Sequence, residues 1–211
     1  MTRQRTPDVI KSNNEAAIVG LGLEVNESLP LIESLDAVRP KSAREVAARA
    51  CALSYVIGIG FNADRKELIE ELSAYRLWDF VSERERALLL AQTVSEQDRL
   101  NATWLAECIQ ALAWVIGLVE LDHFRECDAD LAQRIPFRRD PSPFIESAVT
   151  RPLHEIQQQA DLLYRLHWYA THCRLHGKIS RVSESVVMER RRAIDWAYGT
   201  AESWDQVPLD T

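Results

Sequence analysis

Apolar residues recur at three- and four-residue steps through most of this chain, the period of amphipathic helices rather than of strands. The longest such stretch is 151–177, RPLHEIQQQADLLYRLHWYATHCRLHG. One apolar row holds Leu153, Ile156, Ala160, Leu163, His167 and Ala170, and a second holds Leu162, Leu166, Tyr169 and Cys173. The remaining stripe is polar: His154, Gln158, Asp161, Arg165 and His172, with Asp161 and Arg165 spaced to pair across one turn. Pro152 suits the first turn, Glu155 the positive N-terminal end, and Gly177 the stop. A helix apolar over most of its girth is packed on several sides, which puts it near the centre of the fold.

Shorter patterns with their own start signals precede it. Thr6-Pro7 opens a helix that ends near Gly20 or Gly22, and Asn26 to Pro40 is an irregular connection with one helical turn at 32–37. Ser42-Ala-Arg-Glu45 is a capping box for a helix running to Gly58 or Gly60. Asp64, Ser82 and Ser95 each begin another helix by the same logic, the last a long one reaching about Val119. Its two apolar rows, one through Trp104, Cys108 and Ala111 and one through Leu105, Ile109 and Leu112, make it the expected direct partner of 151–177. The segment 120–150 carries Pro136, Pro141 and Pro143 and reads as an irregular crossover with a short helix near 128–134. A last helix at 184–198 and an acidic tail at 199–211, docked on the body through Trp204, complete the chain. The reading is one all-α domain over 1–211, with about seven to nine helices built around the two long ones.

At 211 residues, 46% hydrophobic and 27% charged, the chain can bury an ordinary globular core. The net charge of −7 disfavours nucleic acid and anionic membrane surfaces. The local basic spots, Arg3 and Arg5, Arg138 and Arg139, and Arg190 to Arg192, are short and answered by nearby acids. No apolar run approaches the ~20 residues that span a bilayer, and the N-terminus has no signal-peptide pattern, so the expected compartment is the cytoplasm. Cys51, Cys108, Cys127 and Cys173 are widely spaced, which predicts free thiols in a reducing environment.

Candidate chemistry sits at a few polar positions out of place. On the last helix, with Val187 as origin, Ile194 and Tyr198 lie about 20° away and Arg191 about 40° away. An arginine on that apolar face needs a carboxylate, expected from Asp161, Glu189 or a tail acid, or else an anionic ligand. His167, inside an apolar row, is either a core histidine bonded to a carbonyl or carboxylate or a general acid or base. His172 and His176, like His123 and Cys127, have a spacing that can serve a metal, but no third ligand stands near and no metal site is expected. Nucleophile elbows, phosphate loops and dinucleotide fingerprints are absent, and no cofactor is implied.

The opening RTPDVIKSNNEA with LPLIES, then SAREVAARA, LWDFVSERERALL, SEQDRLNATWLAECIQALAWVIGLVE, RPLHEI, DLLYRLHWY, ERRRAIDWAYG and WDQVPLDT together resemble the bacterial family named domain of unknown function 4272. The resemblance implies a chain complete at both ends, with the acidic tail part of the domain. It implies no activity, substrate or cofactor. It draws attention to Tyr164, Arg165, His167, Trp168, Glu189, Arg190, Arg191 and Trp196. The expected function is a non-catalytic binding or interaction domain, monomer or homodimer, recognising a protein partner or a small anionic ligand through Arg165, Trp168, Glu189 and Arg191. The rival is a hydrolase with His167 as acid or base and an arginine holding the anion.

Overall fold

A computed structural model describes residues 6–211, so Arg3 and Arg5 lie outside the described residues. Within it the chain is all-α. The helices are α1 (Pro7–Gly20), α2 (Ala43–Val56), α3 (Arg65–Ala74), α4 (Glu83–Leu90), α5 (Glu96–Val115), α6 (Leu131–Arg134), α7 (Ser142–Ser147), α8 (Leu153–Leu175) and α9 (Glu184–Tyr198). Short 3-10 turns follow at Ile57–Ile59, Trp78–Phe80 and Trp204–Gln206.

The start signals act as their chemistry dictates. Ser42 and Ser82 each close a capping box with Glu45 and Glu85, and Asp64, Ser95 and Ser183 accept from first-turn backbone N–H groups. The ends are less regular. The helix from Ser95 stops at Val115, short of Val119, because Gly117 turns left-handed at φ 74° and Leu118 N–H closes onto the Ala113 carbonyl. Pro152 caps α8 from outside rather than joining its first turn. Residues 32–37 form no helix. That segment is drawn out by Gln157 Nε2 and Tyr198 Oη, which donate to the Glu33 carbonyl at 2.9 and 2.6 Å. The 120–150 crossover contains α7, which the proline pattern had masked.

The two long helices do not pack directly on each other along their lengths; α9 is inserted between them. Against α8 it runs antiparallel, Glu184 meeting Thr171, Arg191 meeting His167 and Tyr198 donating its hydroxyl to the 33 carbonyl beside Gln157. On its other side Glu189 and Arg190 reach Cys108 and Glu107 of α5. Small and β-branched residues, Val187, Ala193, Ile194 and Ala197, let both neighbours approach closely. α2 packs on the far side of α5 through Ala47, Ala48, Ala50 and Cys51, and α1 lies on α8.

The chain leaves α9 through Gly199 at φ 91°, where a Cβ would meet the Arg39 carbonyl oxygen at 2.1 Å. Only glycine fits there. The tail then folds back over the body, with Trp204 buried edge-on to Trp196 and 4.0 Å above the Arg49 guanidinium.

Candidate functional site

Three consecutive residues of α9, Glu189, Arg190 and Arg191, are each buried, and successive steps of about 100° send them to three different walls. Arg191 turns toward α8 and the tail. Its Nε donates to Asp195 Oδ2 at 3.1 Å, its Nη1 to His167 Nδ1 at 3.1 Å and to the Asp210 carbonyl at 3.0 Å, and its Nη2 to the Pro208 carbonyl at 3.3 Å. The expected carboxylate partner therefore comes from Asp195, one turn along the same helix, and not from Asp161, Glu189 or a tail side chain. The tail contributes main-chain oxygens instead. Tyr164 closes the face of the guanidinium at 4.7 Å, leaving a hollow of about 170 Å³ beside it.

A guanidinium can only donate, so His167 Nδ1 accepts and the imidazole is neutral with its proton on Nε2. Burial first, and the Arg191 charge second, push its pKa down to about 4. Its partner is thus a cation, not the carbonyl or carboxylate expected. Burial pushes Asp195 the other way, up to about 7, against the pull of Arg191.

Arg165 sits on the stripe of α8 that reads as polar, yet it is buried, as is Asp161, because α1 covers that stripe. It binds Asp161 through two nitrogens at 2.9 and 2.7 Å and Glu15 at 2.9 Å, while Asn14 donates to the same Asp161 at 2.8 Å. Trp168, on another face, is half-buried and stacked on His172, whose ring meets that of His176 at a tilt of 32° with centroids 4.1 Å apart. Among the described residues no three His, Cys, Asp or Glu gather as a metal ion requires.

Two buried pairs escaped the sequence reading. Arg190 is held by Glu107 at 2.7 Å and donates to the carbonyls of Asp122 and Arg125, pinning the crossover to α5 and α9. Arg49 binds Glu85 with two nitrogens at 2.7 and 2.6 Å. The signal was present in both cases: Arg49 and Glu107 each interrupt an apolar helical run, as Arg191 does.

Glu189 differs from all of these. Its contacts fall on Oε2: the Cys108 thiol at 3.2 Å and Arg192 at 3.4 Å. Burial raises its pKa, and burial raises that of Cys108 well above the ordinary thiol value, so the thiol is inert. Glu189 lines a groove of about 700 Å³ bounded by α4, α5, α9 and the tail. Leu88, Leu100, Trp104, Met188 and Leu209 give the groove an apolar wall, and Leu100 is 53% exposed. Beyond the Trp204 turn lies a second hollow of about 660 Å³, walled mostly by charged groups such as Lys41, Asp79, Arg86 and Glu202. The candidate residues thus divide into two places. His167, Arg165 and Arg191 lie in closely paired networks, with only the small hollow beside Arg191, and Glu189 borders the large groove.

The chain belongs to the family described as Domain of unknown function (DUF4272), whose model matches residues 10–207. No curated protein and no solved structure matches it. No helix among the described residues is long and apolar enough to cross a membrane.

Proposed function

We propose that this protein is a non-catalytic binding domain of the cytoplasm, and that its recognition element is the groove between α4, α5, α9 and the tail. The observation that carries this reading is the groove itself. Its volume of about 700 Å³ lies in the range of small-ligand sites, and Leu88, Leu100, Trp104 and Leu209 gather apolar surface along one concave wall. The anion-binding role expected of Arg165 and Arg191 has less support, since each already holds a carboxylate of its own chain at 2.7 to 3.1 Å. The hydrolase reading has less support too. A histidine with a pKa of about 4 and Nδ1 occupied by a guanidinium is a poor proton carrier near neutral pH. The cytoplasm is favoured by the four free cysteines.

The test uses the neutral fluorophore N-phenyl-1-naphthylamine. Saturable binding is expected, weakened at least about fivefold by the double variant Leu100→Gln/Leu209→Gln, which strips apolar surface from the groove. The exposed Val149→Gln control should leave it unchanged. Failure to saturate, or equal binding by the groove variant, overturns the reading.

A further inference from the structure

We propose that the groove takes a small amphiphile with one positive charge, a primary aliphatic amine in its simplest form, whose head group sits against Glu189 and whose apolar body lies on Leu100 and Trp104. This rests on the reading of the groove as a binding site and adds the sign of the ligand.

The first reason is the incomplete pairing of Glu189. The other buried acids are matched more closely: Glu85 to Arg49 at 2.6 Å, Asp161 to Arg165 at 2.7 Å, Glu107 to Arg190 at 2.7 Å and Asp195 to Arg191 at 3.1 Å. Glu189 is 7% exposed and meets Arg192 at 3.4 Å, with that arginine itself 28% exposed. A carboxylate removed from water without a close cation is under-compensated, and a charged donor beside it recovers part of the lost solvation. The raised pKa of the Glu189 carboxyl agrees with this, since burial outweighs Arg192.

The second reason is the charge around the groove. Glu85, Asp98, Glu189 and Asp205 line it against Arg84 and Arg192, so carboxylates outnumber arginines even when Glu85 is set aside as the partner of Arg49. An anionic head would have to sit among these acids and rely on Arg192 and Arg84, where solvent screens the attraction. An ammonium group presents three donors and needs no change in the protein's own pairs. The third reason is size. The part of α5 along the groove, Gln97 to Leu105, spans about 12 Å at 1.5 Å per residue, the scale of a short aliphatic chain rather than of a long partner helix.

The experiment compares octylamine, octanol and octanoate, three ligands with one apolar body and different heads, by calorimetry and by the fluorescence of Trp104 and Trp204, which both line the groove. Octylamine should bind at least about tenfold more tightly than either of the others. Glu189→Gln should bring octylamine down to the level of octanol, with thermal melting and circular dichroism confirming that the variant is folded. Equal binding of octylamine and octanol overturns the charge assignment while leaving the groove as a site. Preference for octanoate overturns it in the opposite sense, and undiminished octylamine binding to Glu189→Gln removes Glu189 from the site. No saturable binding by any of the three overturns the groove reading together with this one.

Discussion

Glu189 and Arg191 stand two residues apart on one helix and are nearly equally buried, at 7% and 5% exposure. Arg191 spends its donors on Asp195, His167 and two tail carbonyls, with Tyr164 over its face. Glu189 has a thiol and one distant guanidinium, and opens on a groove. Both would stand out in a search for buried charge. Of the two, Glu189 keeps the greater capacity for a ligand, since Arg191 has four of its five N–H donors engaged. A buried charge whose partners are complete has a structural account, because removing either side leaves the other stranded in low dielectric. A buried charge whose pairing is incomplete beside open space has capacity for another molecule. Completeness of pairing is therefore a better guide than depth of burial.

The largest effect that would separate the two regions lies at Arg190, the best-matched of the three neighbours. Arg190→Ala strands Glu107 and releases the carbonyls of Asp122 and Arg125, so urea unfolding should show a loss of about 3–5 kcal/mol. A loss below about 1 kcal/mol would mean that the pair is not sealed.

Next in size is a pH effect at His167. In the folded chain it stays neutral down to about pH 4, whereas an unfolded histidine takes up a proton below about 6.5. Acidification then favours the unfolded chain, and stability is lost as pH falls from about 6.5 toward 4, by up to about 3 kcal/mol. Asp195 acts with the opposite sign. Its raised folded pKa makes the folded chain hold a proton that the unfolded chain gives up, so its contribution is lost as pH rises toward about 7. The difference between the protein and its His167→Gln variant, followed by thermal melting from pH 7 to pH 4, isolates the histidine. A pH-independent difference would sharpen the comparison against a sealed network.

The smallest effect is expected at Glu189. Glu189→Gln keeps the shape and removes an under-paired charge, so stability should move by less than about 1 kcal/mol in chemical denaturation. A loss as large as that at Arg190 would erase the contrast.

Much of the fold was legible in local chemistry. Ser42, Asp64, Ser82 and Ser95 mark helix starts because a side-chain oxygen satisfies backbone N–H groups only a few residues away, and such information lies within one turn of sequence. The apolar face of α9 and the anomaly of Arg191 on it were legible for the same reason: angular position on a helix follows from spacing alone. Membership of an all-α class followed from the three- and four-residue period.

What spacing does not contain is which helix covers which face. The stripe of α8 bearing Asp161 and Arg165 reads as solvent-facing until α1 is laid over it, and the two long helices look like mutual partners until α9 is placed between them. The partners of Arg191 come from the next turn, from α8 and from the returning tail, and the Glu189 groove needs α4, α5, α9 and the tail together. Local hydrogen bonding and periodicity are short-range quantities, so the sequence alone determined the helices and their apolar faces. Charge pairing and cavities depend on residues brought together from distant parts of the chain, so only the tertiary structure decided which buried charges are closed and which one remains open.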